Sequence, residues 1–68
     1  MFRLKFLRLE HGLTQRALAK RAKMSNADLC RIESGRTNPT MQELQALGAV
    51  LGTAPDRLMD QVVEVARG

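Results

Sequence analysis

Apolar residues recur at three- and four-residue steps along most of the chain, and no stretch alternates with the two-residue period of a strand. Phe2, Phe6 and Leu9, with Leu4 alongside, form one helical stripe. It predicts a first helix from about Phe2 to His11, closed by Gly12 in the left-handed conformation. Thr14 is placed to cap a second helix from Gln15 to about Ala22, with Leu18 and Ala22 on the inner face and Ala19 beside them. Ser25-Asn26-Ala27-Asp28 reads as a capping box that opens a third helix, ending at Ser34-Gly35. The stretch Gly35-Arg36-Thr37-Asn38-Pro39 has the composition of a loop, and Pro39 keeps Asn38 out of helical geometry. Thr40 and Glu43 form a second capping box, followed by Met41, Leu44, Leu47 and Leu51 at helical spacing and then Gly52. A fifth piece starts at Thr53-Ala54-Pro55-Asp56, with proline in the first turn, where its missing N–H does no harm. The expectation is an all-α bundle of about five short helices in one domain spanning residues 1–68.

Composition sharpens this picture. A chain of 68 residues buries only about 60% of the surface its unfolded form exposes, so stability is marginal. The only aromatic residues are Phe2 and Phe6, which leaves the core to Leu, Ala, Val, Ile and Met; Met24, Met41 and Met59 read as core filler. Cys30 is the only cysteine, so no internal disulfide forms, and a free thiol suits a reducing cytoplasm. No run of 18 apolar residues exists, and Lys5 and Arg8 interrupt the apolar start that a secretory signal needs. His11 has no ligand cluster around it, so no metal or cofactor is expected. No nucleophile–base pair supports an enzyme.

The net charge of +4 is unevenly spread. Residues 1–36 hold nine Lys/Arg against Glu10, Asp28 and Glu33, for +6, whereas residues 37–68 carry −2. One half is suited to a polyanion and the other to water or to a second copy.

The second and third helices are separated by only about three residues, Lys23-Met24-Ser25, so they must pack at a steep angle. A helix-turn-helix presents its second helix to a DNA groove in this way, and the small Ala19 allows close approach at the crossing. On the third helix Leu29 and Ile32 face the core, while Asn26, Ala27, Cys30, Arg31 and Ser34 share the outer side. Asn pairs with adenine, Ala touches a thymine methyl, and Arg takes guanine O6 and N7, so Asn26, Ala27 and Arg31 are candidate base contacts. Gln15, Arg16, Ser25, Arg36, Thr37 and Asn38 are the candidate phosphate contacts around them.

The run Gly12-Leu13-Thr14-Gln15, Ala19, Ser25, Leu29 to Arg36, Asn38-Pro39-Thr40, Leu44, Leu47 and Leu51-Gly52 resembles the lambdoid-phage Cro and repressor (XRE) family of helix-turn-helix domains. The resemblance covers about residues 4–59. It implies a lambda-repressor-like five-helix bundle whose third helix enters the major groove. By position it implies that Gln15 bonds a phosphate and buttresses the start of that helix. It also assigns Arg8 and Glu33 to a partly buried ion pair linking the first helix to the third. The turn departs from the family pattern: Lys23 stands where a glycine is usual, which implies a strained turn or a longer second helix. Asp28 departs too, because a carboxylate there repels phosphate. It is taken as serving its capping box rather than accepting from cytosine N4. Ala54 replaces a usual serine cap, with Thr53 as the substitute.

The expected function is a repressor-type transcriptional regulator that binds a two-fold symmetric operator on double-stranded DNA as a homodimer. Phage repressor, restriction–modification controller and antitoxin (with a toxin as protein partner) all fit, as does a protein-interaction module that has lost DNA binding. Val62, Val63 and Val65 form either a last turn packed on Phe2 and Phe6 or a dimer contact, and the dimer is the preferred reading.

Overall fold

The computed structural model describes residues 1–62. Four α-helices follow one another: α1 Arg3–Glu10, α2 Gln15–Arg21, α3 Asn26–Glu33 and α4 Met41–Leu51. A single 3₁₀ turn, Pro55–Arg57, replaces the expected fifth helix. Pro55 does open that turn, but neither Thr53 nor Ala54 caps it with a side chain. After Leu58 the backbone leaves the helical path and pairs with the N-terminus. The α1 donors on Arg3 and Leu4 reach the carbonyls of Asp60 and Leu58 at 2.7 and 2.8 Å. Phe2 and Gln61 form an antiparallel bridge, and the Val62 N–H donates to the Met1 carbonyl at 2.8 Å. These bonds explain why α1 forms without a side-chain cap: two of its orphan N–H groups are met by the other end of the chain.

The other three helices are capped as their sequences require. Thr14 Oγ1 accepts from the Ala17 N–H, and Ser25 Oγ accepts from the Asp28 N–H, each at 3.0 Å. Thr40 and Glu43 complete a reciprocal box, each backbone N–H donating to the other's side chain. The Ser25 box is only half made, since the Asp28 carboxylate turns instead to Arg31.

Leu4, Leu18, Leu29, Ile32, Leu47, Leu51 and Leu58 fill the core, with Ala19 and Ala22 where α2 meets its neighbours. Each buried leucine contributes about 1.5–3 kcal/mol. Three expected core positions lie elsewhere. The inward line of α1 is Leu4 and Arg8, whereas Phe6 and Leu9 are exposed, so the Phe2–Phe6–Leu9 stripe is not its buried face. Arg8 claims the inward place four residues after Leu4 because its partner, Glu33, lies inside. Met41, the first residue of α4, is 59% exposed rather than core filler. Gly48, midway along α4, is buried against the following turn: a Cβ there would lie 2.5 Å from the Thr53 carbonyl oxygen.

The turns that close α1 and α2 share one device. The N–H groups of Gly12 and Leu13 donate back to Leu9 and Arg8, and those of Lys23 and Met24 to Lys20 and Ala19. This paired closure requires a left-handed residue just past the helix, and the φ angles are 69° at Gly12 and 59° at Lys23. The second helix therefore stops at Arg21, and the turn takes its strain on an exposed lysine. Left-handed backbone costs a residue with a Cβ about 1–2 kcal/mol, and glycine returns part of that as unfolded-state entropy. Lys23→Gly is expected to gain about 1 kcal/mol, seen as a Tm rise of about 4–8 °C. An unchanged Tm would mean that the strain is absorbed locally.

Candidate nucleic-acid interface

The site is built on α2, α3 and the loop after α3. Ala19 and Ala22, with Leu18, let α2 approach α3 closely, so the four residues Ala22–Ser25 suffice to join them. Burial divides α3 by helical spacing. Leu29, Ile32 and Glu33 point inward, while Asn26, Ala27, Cys30, Arg31 and Ser34 are all exposed. The outer row is short-chained over its first turn, which leaves the N-terminal end of α3 free to approach a groove closely.

The candidate phosphate contacts flank this row on two sides. Arg16, Ser25, Arg36, Thr37 and Asn38 are exposed; Ser25 already uses its hydroxyl to accept from the Asp28 N–H. The loop is held against α3, because the N–H groups of Arg36 and Thr37 both donate to the Arg31 carbonyl, at 2.9 and 3.3 Å. The Ser34 hydroxyl donates to the same oxygen. Arg36 is thereby carried on the end of the helix rather than on a free loop.

Behind the surface lies a polar cluster. Arg8 Nε donates to Glu33 Oε2 at 2.8 Å, Arg8 Nη2 to Glu33 Oε1 at 3.2 Å, and Arg8 Nη1 to the Leu13 carbonyl at 2.8 Å. Gln15 Nε2 adds a bond to Glu33 Oε1 at 3.0 Å. Both members of the ion pair are buried. The cluster ties α1, the turn after it and the start of α2 to the last residue of α3. Gln15 thus supports the end of α3, not its start, because its amide is drawn to the buried carboxylate. Its amide nitrogen keeps a second hydrogen free.

The charge carried by residues 11–42 is almost all of one sign. Arg16, Lys20, Arg21, Lys23, Arg31 and Arg36 are exposed. Residues 11–42 contain only two carboxylates, and Glu33 is consumed by Arg8, so Asp28 is the one acid that reaches solvent. Asp28 and Arg31, one helical turn apart, are hydrogen-bonded. The reading from sequence set Asp28 to its capping box and missed this pair, although the three-residue spacing was there to find it. Val62 is half-buried beside Met1; Val63 and Val65 lie outside the described residues. Among the described residues no helix is long and apolar enough to cross a membrane.

Residues 2–62 match the family model of the helix-turn-helix domain. The chain is 38% identical over 60 residues to the HTH-type transcriptional regulator DdrOP3 of Deinococcus deserti, covering 88% of this chain and 46% of that protein. It is 42% identical over 50 residues to the immunity repressor protein of Bacillus phage phi105, covering 74% of this chain and 35% of that protein. The chain therefore spans less than half the length of either relative. In three dimensions it is similar to the N-terminal DNA-binding domain of SinR from Bacillus subtilis, with a TM-score of 0.81, 33% identity and 91% coverage of each chain. Four helices with a tight α2–α3 turn, a buried Arg8–Glu33 link and these matches together show that the chain belongs to the helix-turn-helix family of DNA-binding domains, of the Cro and repressor kind.

Proposed function

We propose that this chain is a sequence-specific, repressor-type transcriptional regulator that binds double-stranded DNA in the cytoplasm with α3 in the major groove. The observation that carries the reading is the outer face of α3: exposed, short-chained at its N-terminal end and ringed by cations on α2 and the following loop. Asn26, Ala27 and Arg31 face the bases. Gln15, Arg16, Ser25, Arg36, Thr37 and Asn38 grip the sugar–phosphate backbone, with the first N–H groups of α2 adding to Gln15. A repressor among the relatives supports the regulatory sense of the assignment.

The chain acts as a homodimer on a two-fold symmetric operator, with recognition helices about 34 Å apart and half-sites about 10 bp apart. Val62, together with Val63 and Val65, is assigned to the contact between copies. The same helix pair would serve an antitoxin or a restriction–modification controller, a toxin then binding elsewhere on the protein.

Selection from random duplex DNA at physiological salt tests the reading. A two-fold motif with half-sites one turn apart is the expected product. Failure to enrich any sequence would overturn it in favour of a protein-interaction module. Within the reading, Arg36→Ala is expected to weaken all sequences alike and to lower the slope of log Kd against log salt by about one. A loss confined to one operator would instead make Arg36 a base contact.

A further inference from the structure

We propose that Asp28 is a specificity-determining positioning residue: it holds the guanidinium of Arg31 for a guanine in the groove, at the expense of general affinity for DNA. This rests on the DNA-binding reading above and names the base chemistry of that site.

The first argument is electrostatic. Asp28 is the only solvent-reaching carboxylate between Glu10 and Glu43, and it sits on the helix that carries the proposed base contacts. A negative charge there opposes every phosphate nearby, so for binding alone any neutral residue is better. The second is geometric. Asp28 Oδ1 accepts from Arg31 Nη2 across one turn of α3. The pair is about half exposed, with side-chain exposures of 43% for Asp28 and 49% for Arg31. It therefore adds little to folding. The carboxylate does not turn back to the Ser25 N–H, so the helix cap does not account for it. The third is chemical. Arg31 spends one of its five N–H donors on Asp28 and keeps four, enough for the bidentate bond to guanine O6 and N7. A long arginine on an exposed face otherwise samples many rotamers and can settle on a phosphate instead, a contact that carries no sequence information. The anchored fork has already lost that freedom.

The test uses the selected operator and variants with the Arg31 base pair changed, with Kd measured by titration for each. Asp28→Ala is expected to lower discrimination at that pair about tenfold while random duplex binds about threefold more tightly. Asp28→Asn keeps an acceptor without the charge, so it should recover most of the discrimination and keep the gain in general affinity. Arg31→Ala should cost less discrimination in the Asp28→Ala background than in the parent, because the two residues are coupled. Asp28→Ala with discrimination intact, while Arg31→Ala abolishes it, overturns this proposal and leaves the DNA-binding reading standing. Full discrimination in both variants assigns that base pair to other residues and also overturns it. Absence of any sequence preference in the parent protein overturns both. A thermal melt of each variant within a few degrees of the parent separates these outcomes from loss of fold.

Discussion

Glu33→Ala is expected to cost about 3–5 kcal/mol and to leave much of the population unfolded at 37 °C. A domain of this length has a total stability of roughly 3–10 kcal/mol, so the loss is comparable to the whole. The reason is not that the ion pair is strong. Arg8 is buried, and without Glu33 its guanidinium keeps only the Leu13 carbonyl, while Gln15 loses its acceptor as well. Glu33 also ends α3, where a negative charge opposes the helix dipole, so its place there depends on the cation it meets. Urea unfolding monitored by circular dichroism reads the effect as a lower midpoint at unchanged slope. Arg8→Met combined with Glu33→Leu should recover most of the loss, since an apolar pair leaves no buried charge unmatched. A cost below about 1 kcal/mol for Glu33→Ala would mean that water reaches the pair as it reaches a surface salt bridge.

The second large effect runs against helix propensity. Alanine is about 1 kcal/mol better than glycine inside a helix, so Gly48→Ala would stabilise an exposed α4. Here the added Cβ would come within 2.5 Å of the Thr53 carbonyl oxygen, with the Pro55 backbone 3.6 Å away behind it. That backbone is not free to retreat, because the Thr53 N–H is bonded to the Gly48 carbonyl at 3.0 Å and Pro55 opens the 3₁₀ turn that seats Leu58 in the core. Overpacking against such a wall costs about 3 kcal/mol, at the upper end of its usual range. The Tm should fall by more than about 12 °C. A Tm equal to or above the parent's would show that the Thr53–Pro55 turn can move aside.

Much of the architecture was written in residues that act locally. Thr14, Ser25 and Thr40 cap the helices they precede, and left-handed glycines fall at Gly12, Gly35 and Gly52, so boundaries could be read from a few side chains without knowledge of packing. What was not legible depended on partners distant along the chain. The hydrophobic stripe of α1 pointed to Phe6 and Leu9, but a charged residue took the inward line, and only contact with Glu33, 25 residues away, makes that favourable. The apolar content after Pro55 looked like a fifth helix because periodicity does not reveal that Leu58 and Asp60 are needed as acceptors for the first turn of α1. At the candidate site, the exposed row of α3 was readable from spacing alone. The resemblance gave the Arg8–Glu33 link, but it set the support from Gln15 at the wrong end of the helix, since it supplied no distances.

The pairing of Met1 with Val62 bears on how the molecule can be rewired. The two are joined by a backbone hydrogen bond, so a short added linker from Val62 to Met1 would close residues 1–62 into a loop. A circularly permuted gene could then open the chain at the exposed His11–Gly12 turn and still present every helix with its neighbours. In such a molecule α1 would be synthesised last and would dock onto a preassembled α2–α3 pair. The helix pair proposed to bind DNA would thereby be made before the helix that locks it through Arg8.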